Sequence, residues 1–179
     1  MTDYFALLGL PQSAALDEAV LQAAWHEKSR AAHPDQPGGD AKLAAEINAA
    51  FEVLSAPEKR LKHLLDLHEV PWRAIPISNE LMGIFAELGP QLQQAAALGK
   101  EKAQASSALV RALLMSKEMP VRERLEELGL EVERLRVAIL DRLPAVGADF
   151  TKLQTAQAEL AYLSKWQAQI REALLVMMV

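Results

Sequence analysis

Apolar residues recur along this chain at intervals of three and four, the spacing that gathers side chains on one face of an α-helix. Four helices are predicted before residue 70. The first is short: Asp3 can cap it, Tyr4, Phe5, Leu7 and Leu8 supply apolar bulk, and Gly9-Leu10-Pro11 ends it. The second starts near Asp17, carries Val20, Leu21, Ala24 and Trp25 at helical spacing, and runs to Ala32. It should stop there, because residue 33 precedes a proline and its backbone is pushed out of the α region. Residues 33–40, HPDQPGGD, read as a loop. A third helix begins near Ala41 and puts Leu43, Ile47, Phe51 and Leu54 on one face. Pro57 suits the first turn of a fourth, in which Leu61, Leu64 and Leu65 face inward. Helices two and three, joined by a short loop, are expected to form an antiparallel hairpin.

VPWRAIPIS, residues 70–78, interrupts the pattern with two prolines. The expected organisation is one domain over 1–70, a linker over 71–78 and a helical bundle over 79–179. Within the bundle Leu81, Phe85, Leu88, Leu92 and Ala95 form one seam, and Val121, Leu125, Leu128, Val132, Leu135 and Ile139 another. Phe150, Leu153, Leu160, Leu163, Trp166, Ile170 and Leu174 mark a long last helix. A weaker helical stretch covers 101–117, so the bundle has three or four helices. Gly83, Gly89-Pro90 and Gly129 are possible interruptions, and Pro144 to Gly147 reads as a turn. No segment alternates like a strand, and no Gly-rich loop is placed to cradle a phosphate. The predicted fold class is all-α.

Composition narrows the function. Residues 1–75 hold 7 Lys/Arg against 11 Asp/Glu and the remainder 12 against 13. Neither part has the basic excess that binding a phosphate backbone requires, so nucleic acid is not an expected partner. There are no cysteines among the 179 residues, which excludes disulfides, thiolate metal sites and a cysteine nucleophile in this chain. No apolar run approaches the roughly 20 residues of a membrane span. The opening MTDYFALLGLPQ lacks a signal-peptide charge pattern, so the cytoplasm is the expected compartment.

His33 and Asp35 flank Pro34 at the mouth of the loop. A base and its orienting carboxylate need a nucleophile within reach, and this loop has no Ser or Thr. A loop hanging from a hairpin also lacks walls to exclude water. An enzyme is therefore not expected. Nor is a metal site: His63 and His68 stand five apart, off the shared face of i and i+4 ligands. They read as surface residues or helix-end charges. Taken alone, His-Pro-Asp is a helix stop followed by a turn.

The wider context is more specific. DYFALLGLPQ, an amphipathic helix, His33-Pro34-Asp35 and EINAAFEVLSAPEKR (residues 46–60) follow one another in an order that resembles a J domain, the module of DnaJ-type co-chaperones, over residues 3–65. The resemblance implies binding to a DnaK-type seventy-kilodalton heat-shock chaperone and acceleration of its ATP hydrolysis, with nucleotide and magnesium held by that partner and no cofactor here. The residues it implicates are His33, Pro34 and Asp35, with Lys28 and Arg30 on helix two. Asp35 offers a carboxylate to a cationic group such as Arg. Two departures are visible. Residues 17–32 set Lys28 and Arg30 against Asp17, Glu18 and Glu27 where such helices are often basic, and Ala32 stands where an aromatic residue commonly precedes the tripeptide. The first implies weak electrostatic steering.

The plan of the whole chain, a J domain continuing through LKHLLDLHEV (residues 61–70) into a bundle of about a hundred residues, is similar to that of the HscB/Jac-type co-chaperones of iron–sulfur cluster assembly. That resemblance implies an HscA-type chaperone and an IscU-type scaffold protein as partners. The bundle would hold the scaffold through an apolar patch whose matching positions are Leu81, Met82, Phe85 and Tyr162. Leu81 and Phe85 also lie on the predicted seam, where burial is the commoner fate. The alternative is a J-domain protein whose bundle self-associates or binds an unrelated client.

Overall fold

The computed structural model describes residues 1–33 and 39–178. Seven α-helices and no strand occur among the described residues: α1 Tyr4–Leu8, α2 Glu18–Ala32, α3 Ala41–Ser55, α4 Pro57–Leu67, α5 Asn79–Gln104, α6 Ala108–Val146 and α7 Phe150–Met178. Each N-terminal helix begins where its capping residue demands. Asp3 accepts from the amides of Phe5 and Ala6, Asp17 from those of Ala19 and Val20, and Asp40 from that of Lys42, in each case satisfying donors that a helix start leaves without partners. Gly9 ends α1 at φ +73°, a left-handed conformation that a side chain would strain.

By packing, the chain divides into two compact units, residues 1–75 with 139–161, and residues 76–138 with 162–179. The chain passes between the units three times, once inside the proline-containing stretch and once each within α6 and α7, so residues 79–179 are not one contiguous unit. In the first unit α2 and α3 form the antiparallel hairpin, and its mouth is closed by the Asp40 amide donating to the Ala32 carbonyl at 3.1 Å. Phe5, Leu8, Leu21, Ile47, Ala50, Leu54 and Leu61 fill the interior. Val20 and Leu43, expected inward, are exposed: the buried stripe of α2 passes through Leu21 and Ala32, and that of α3 through Ile47, Ala50 and Leu54. The turn between α6 and α7 belongs to this unit. There the linker is fastened on either side of Trp72: Gln154 donates to the Pro71 carbonyl (2.8 Å) and Arg73 to the Thr151 carbonyl (3.0 Å).

In the second unit α5, α6 and α7 run up, down and up. Glu133 of α6 accepts from Gln167 of α7 at 2.9 Å, Arg124 of α6 bridges Glu87 of α5 and Glu127, and Lys102 of α5 reaches Glu118 of α6 (3.3 Å) and the Met177 carbonyl of α7 (2.6 Å). Residues 108–117 belong to α6, so the C-terminal part has three helices. Pro90, Pro120 and Gly129 sit inside unbroken helices. A proline in a helix interior costs about 3 kcal/mol and a glycine about 1, whereas each buried leucine contributes roughly 1.5–3 kcal/mol. With Leu88, Leu98, Val121, Leu125, Leu128, Val132 and Leu163 all buried, packing outweighs the interruptions. Pro144 is likewise helical, and the turn begins only at Gly147, at φ +58°.

Candidate functional site

His33 ends α2 as its C-cap, with the extended backbone (φ −60°, ψ 131°) that a following proline imposes. It is exposed, as is Arg30, and Lys28 is half-buried with its aliphatic stem lying over Gly9. These three candidates therefore share the last two turns of α2 at the loop end of the hairpin. Pro34 and Asp35 lie outside the described residues.

The part of α2 that departs from a basic pattern has a structural occupation. The Trp25 indole donates to Asn48 Oδ1 at 2.9 Å and stacks on Phe51 with ring centroids 4.6 Å apart, while the His26 ring lies 4.6 Å from it. Trp25 thus ties α2 to α3, holding the hairpin that presents His33.

His63 is not a surface residue. It is 6% exposed, stacks on Tyr4 (4.6 Å) and Phe5 (5.8 Å), and its Nε2 accepts the Tyr4 amide at 3.1 Å. Together with Asp3, which takes the next two amides, it satisfies the first three donors of α1. Accepting that bond requires neutral imidazole, and burial pushes the His63 pKa below its ordinary value, more than Asp3 and Asp66 raise it. For Asp3, burial works toward a higher pKa, but hydrogen bonds from Gln12, Ala6 and Phe5 and the nearby His63 hold it below the usual carboxylate range. The unfolded chain takes up the His63 proton at a higher pH than the folded chain. His63's contribution to stability is therefore present above about pH 6.5 and is lost as pH falls through the lower folded value. The urea midpoint should fall between pH 7.5 and pH 5, and His63→Gln should flatten that fall. Equal falls in the two proteins would exclude His63 as the titrating group. His68, by contrast, is exposed at the end of α4 and packs against Phe150. Among the described residues no group of three or more His, Cys, Asp or Glu is placed to hold a metal.

In the second unit three of the four expected client-facing residues are on the surface: Met82 is 48% exposed, Phe85 58% and Tyr162 39%. Leu81 is not. At 3% exposure it belongs to the core of α5 with Ile84 and Leu88, because the buried seam runs 81–84–88 and turns Phe85 outward. Sequence reasoning missed what supports the patch. Trp166 is 3% exposed and its ring centre lies 6.3 Å from Phe85 and 5.9 Å from Tyr162. The available signal was its place four residues after Tyr162, one helical turn along α7.

A capped helical hairpin that exposes His33 at the exit of α2 sets the class: residues 3–63 match the DnaJ domain family model, and this segment is a J domain. The more particular likeness is to the HscB co-chaperones, in the sequence of the J domain and in the fold of the chain. It is 36% identical over 73 residues to a "Co-chaperone protein HscB homolog" of Azoarcus sp., covering 36% of this chain and 41% of that one. It is 40% identical over 80 residues to the homolog of Cupriavidus taiwanensis, covering 40% and 46%. A "Chaperone protein DnaJ" of Synechococcus elongatus is 42% identical over 64 residues, 34% of this chain and 22% of that one. The chain thus matches less than half the length of these relatives. The fold agrees over nearly the whole chain with that of HscB from Vibrio cholerae (TM-score 0.64, 22% identity, 96% of each chain) and human HscB (TM-score 0.61, 20% identity, 96% of this chain and 84% of that one). No helix among the described residues is long and apolar enough to cross a membrane.

Proposed function

We propose that this protein is a co-chaperone of iron–sulfur cluster assembly in the cytoplasm. Its J domain stimulates ATP hydrolysis by an HscA- or DnaK-type chaperone, and its second unit delivers the client, an IscU-type scaffold. The observation that carries the reading is His33, exposed in extended backbone at the exit of α2, inside a DnaJ domain whose chain shares the HscB fold throughout. The work divides by element. α2 presents His33, Arg30 and Lys28, with Pro34 and Asp35 next in the chain, to the chaperone. Met82, Phe85 and Tyr162 form the apolar surface for the scaffold. Trp25 ties the presenting hairpin together, and His63 holds the start of α1. This chain breaks no bond of the nucleotide and needs no cofactor, so it is not itself an enzyme.

The test is a single-turnover ATPase measurement on the purified chaperone with wild-type protein and His33→Gln, alongside retention of purified scaffold by each. Stimulation should be lost in His33→Gln while scaffold retention is unchanged. Equal stimulation by both proteins would remove the hairpin mouth from the mechanism. Failure of the wild type to retain scaffold, with stimulation intact, would give the second unit a different client.

A further inference from the structure

Two apolar features of the second unit have no partner within it. The first is the start of α6. Residues 108–117, ALVRALLMSK, carry two basic residues and no acidic one, and only Leu114 among them is buried. Leu109 is 72% exposed, Leu113 57% and Met115 59%, and they point to several sides of the helix. A helix apolar around its circumference is normally a buried one. This one meets α5 at its base, where Glu118 pairs with Lys102, and touches the α5 C-cap through Arg111, which donates to the Ala105 carbonyl at 3.5 Å. Its ten residues, about 15 Å long, bury only Leu114 among themselves and form a prong.

The second feature is a groove of about 520 Å³ between α5 and α7. Leu92, Ala96, Gly99 and Ala103 line one wall and Ala173 and Val176 the other. The α5 wall is about 16 Å long. Its floor is shallow because its side chains are small: a Cβ on Gly99 would come within 2.5 Å of Val176 Cγ1. Small residues let a second helix approach closely, and an apolar stripe of this length is the kind of surface on which a helix lies. The prong of the same copy cannot fill it, since α6 is one continuous helix held alongside α5 by the Lys102–Glu118 pair.

We infer that the prong of one copy lies in the α5–α7 groove of a second copy, and reciprocally, so that the protein forms a two-fold dimer through its second unit. The lengths agree. The charges agree at the Glu172 rim: Lys117 on the prong and Glu172 on the groove are both exposed and have no ion-pair partner among the described residues. Laying about 15 Å of helix in a groove buries roughly 400 Å² on each side, so two such contacts total about 1,600 Å², the size of a standard stable interface. Direct pairing of two prongs would bring together helices that carry only basic charge. The inference is independent of the co-chaperone reading, because it uses neither the hairpin mouth nor the Phe85 surface.

Sedimentation equilibrium of the full chain over the micromolar range tests it with two variants, Leu113→Glu in the prong and Ala96→Trp in the groove. Both positions are exposed, and circular dichroism checks that each variant keeps its helices; Leu109→Glu serves as a second prong variant. The wild type should dimerise with rising concentration, and each variant should do so at least about tenfold more weakly. An equimolar mixture of the two variants should recover association, because one intact prong then meets one intact groove. A wild type that stays monomeric throughout overturns the inference, as do dimers indifferent to both variants or a mixture that recovers nothing. Binding of the monomer to phosphatidylserine vesicles through Leu113, without dimer, would assign the prong to a membrane surface and overturn it equally.

Discussion

Replacing Arg60 with alanine should destabilise the first unit by about 3–5 kcal/mol. Arg60 is 6% exposed, and its guanidinium donates to two main-chain carbonyls, that of Ala14 at 3.0 Å and that of Leu54 at 2.8 Å. Leu54 lies in the last turn of α3, whose final carbonyls have no helical partner. α3 has no basic residue of its own in that turn, so a cation from α4 completes it and meets the negative end of the helix dipole. The other bond holds the loop before α2, where Ala14 is buried. Removing the guanidinium leaves two buried acceptors unpaired, at about 1–3 kcal/mol each, besides the packing of the stem. Folded domains have only about 5–15 kcal/mol to lose. The check is urea unfolding followed in the J domain, with Arg60→Met as the control. Methionine keeps most of the stem but neither bond, and should recover about 1 kcal/mol at most. Recovery of wild-type stability by methionine would mean that packing, and not the two carbonyls, is what Arg60 supplies.

Arg60 also shows where the sequence could be read and where it could not. The helix boundaries of the first unit were legible to within a residue or two, because each is written in a local signal: Asp3, Asp17 and Asp40 as caps, Pro57 at the start of α4, and the residue before Pro34 as a stop. The roles of Arg60 and His63 were not legible. Both depend on a backbone group more than forty residues away, Ala14 in one case and Tyr4 in the other, and helical periodicity says nothing about such distances. The seam of α6 was readable, since Val121, Leu125, Leu128, Val132 and Ile139 are buried and Leu135 half-buried. On α5 Leu81, Leu88 and Ala95 of the expected seam are buried and Phe85 is not, because Ile84 and Phe85 are adjacent and both apolar. A shift of one residue decides which is core, and the structure buries Ile84. Gly83, Gly89-Pro90 and Gly129 misled in the other direction, since their local cost is smaller than the burial around them.

Trp166→Ala should cost the second unit about 3–5 kcal/mol and, if that unit holds the scaffold as proposed, remove most of its retention. The two losses have one source. Trp166 lies almost wholly inside, and against it rest Phe85 from α5 and Tyr162 from α7. The cavity left by an indole is far larger than the roughly 0.5–1.5 kcal/mol that an aromatic pair adds beyond burial, so the stability loss should exceed any sum of ring contacts. Phe85→Ala and Tyr162→Ala should behave differently. Both side chains are more than a third exposed, and each truncation should cost about 1 kcal/mol or less in stability. Yet each should weaken scaffold binding by about tenfold or more, as expected of a large aromatic anchor at the centre of an interface. Trp166→Phe separates the two roles of the buried ring: it keeps an aromatic surface under Phe85 and Tyr162 while leaving a smaller void. If binding follows the patch, Trp166→Phe should lose about 1–2 kcal/mol of stability with scaffold retention nearly intact. Should retention instead fall in step with stability across all four variants, the aromatic surface would be only a part of the core, and the scaffold would be held elsewhere on the unit.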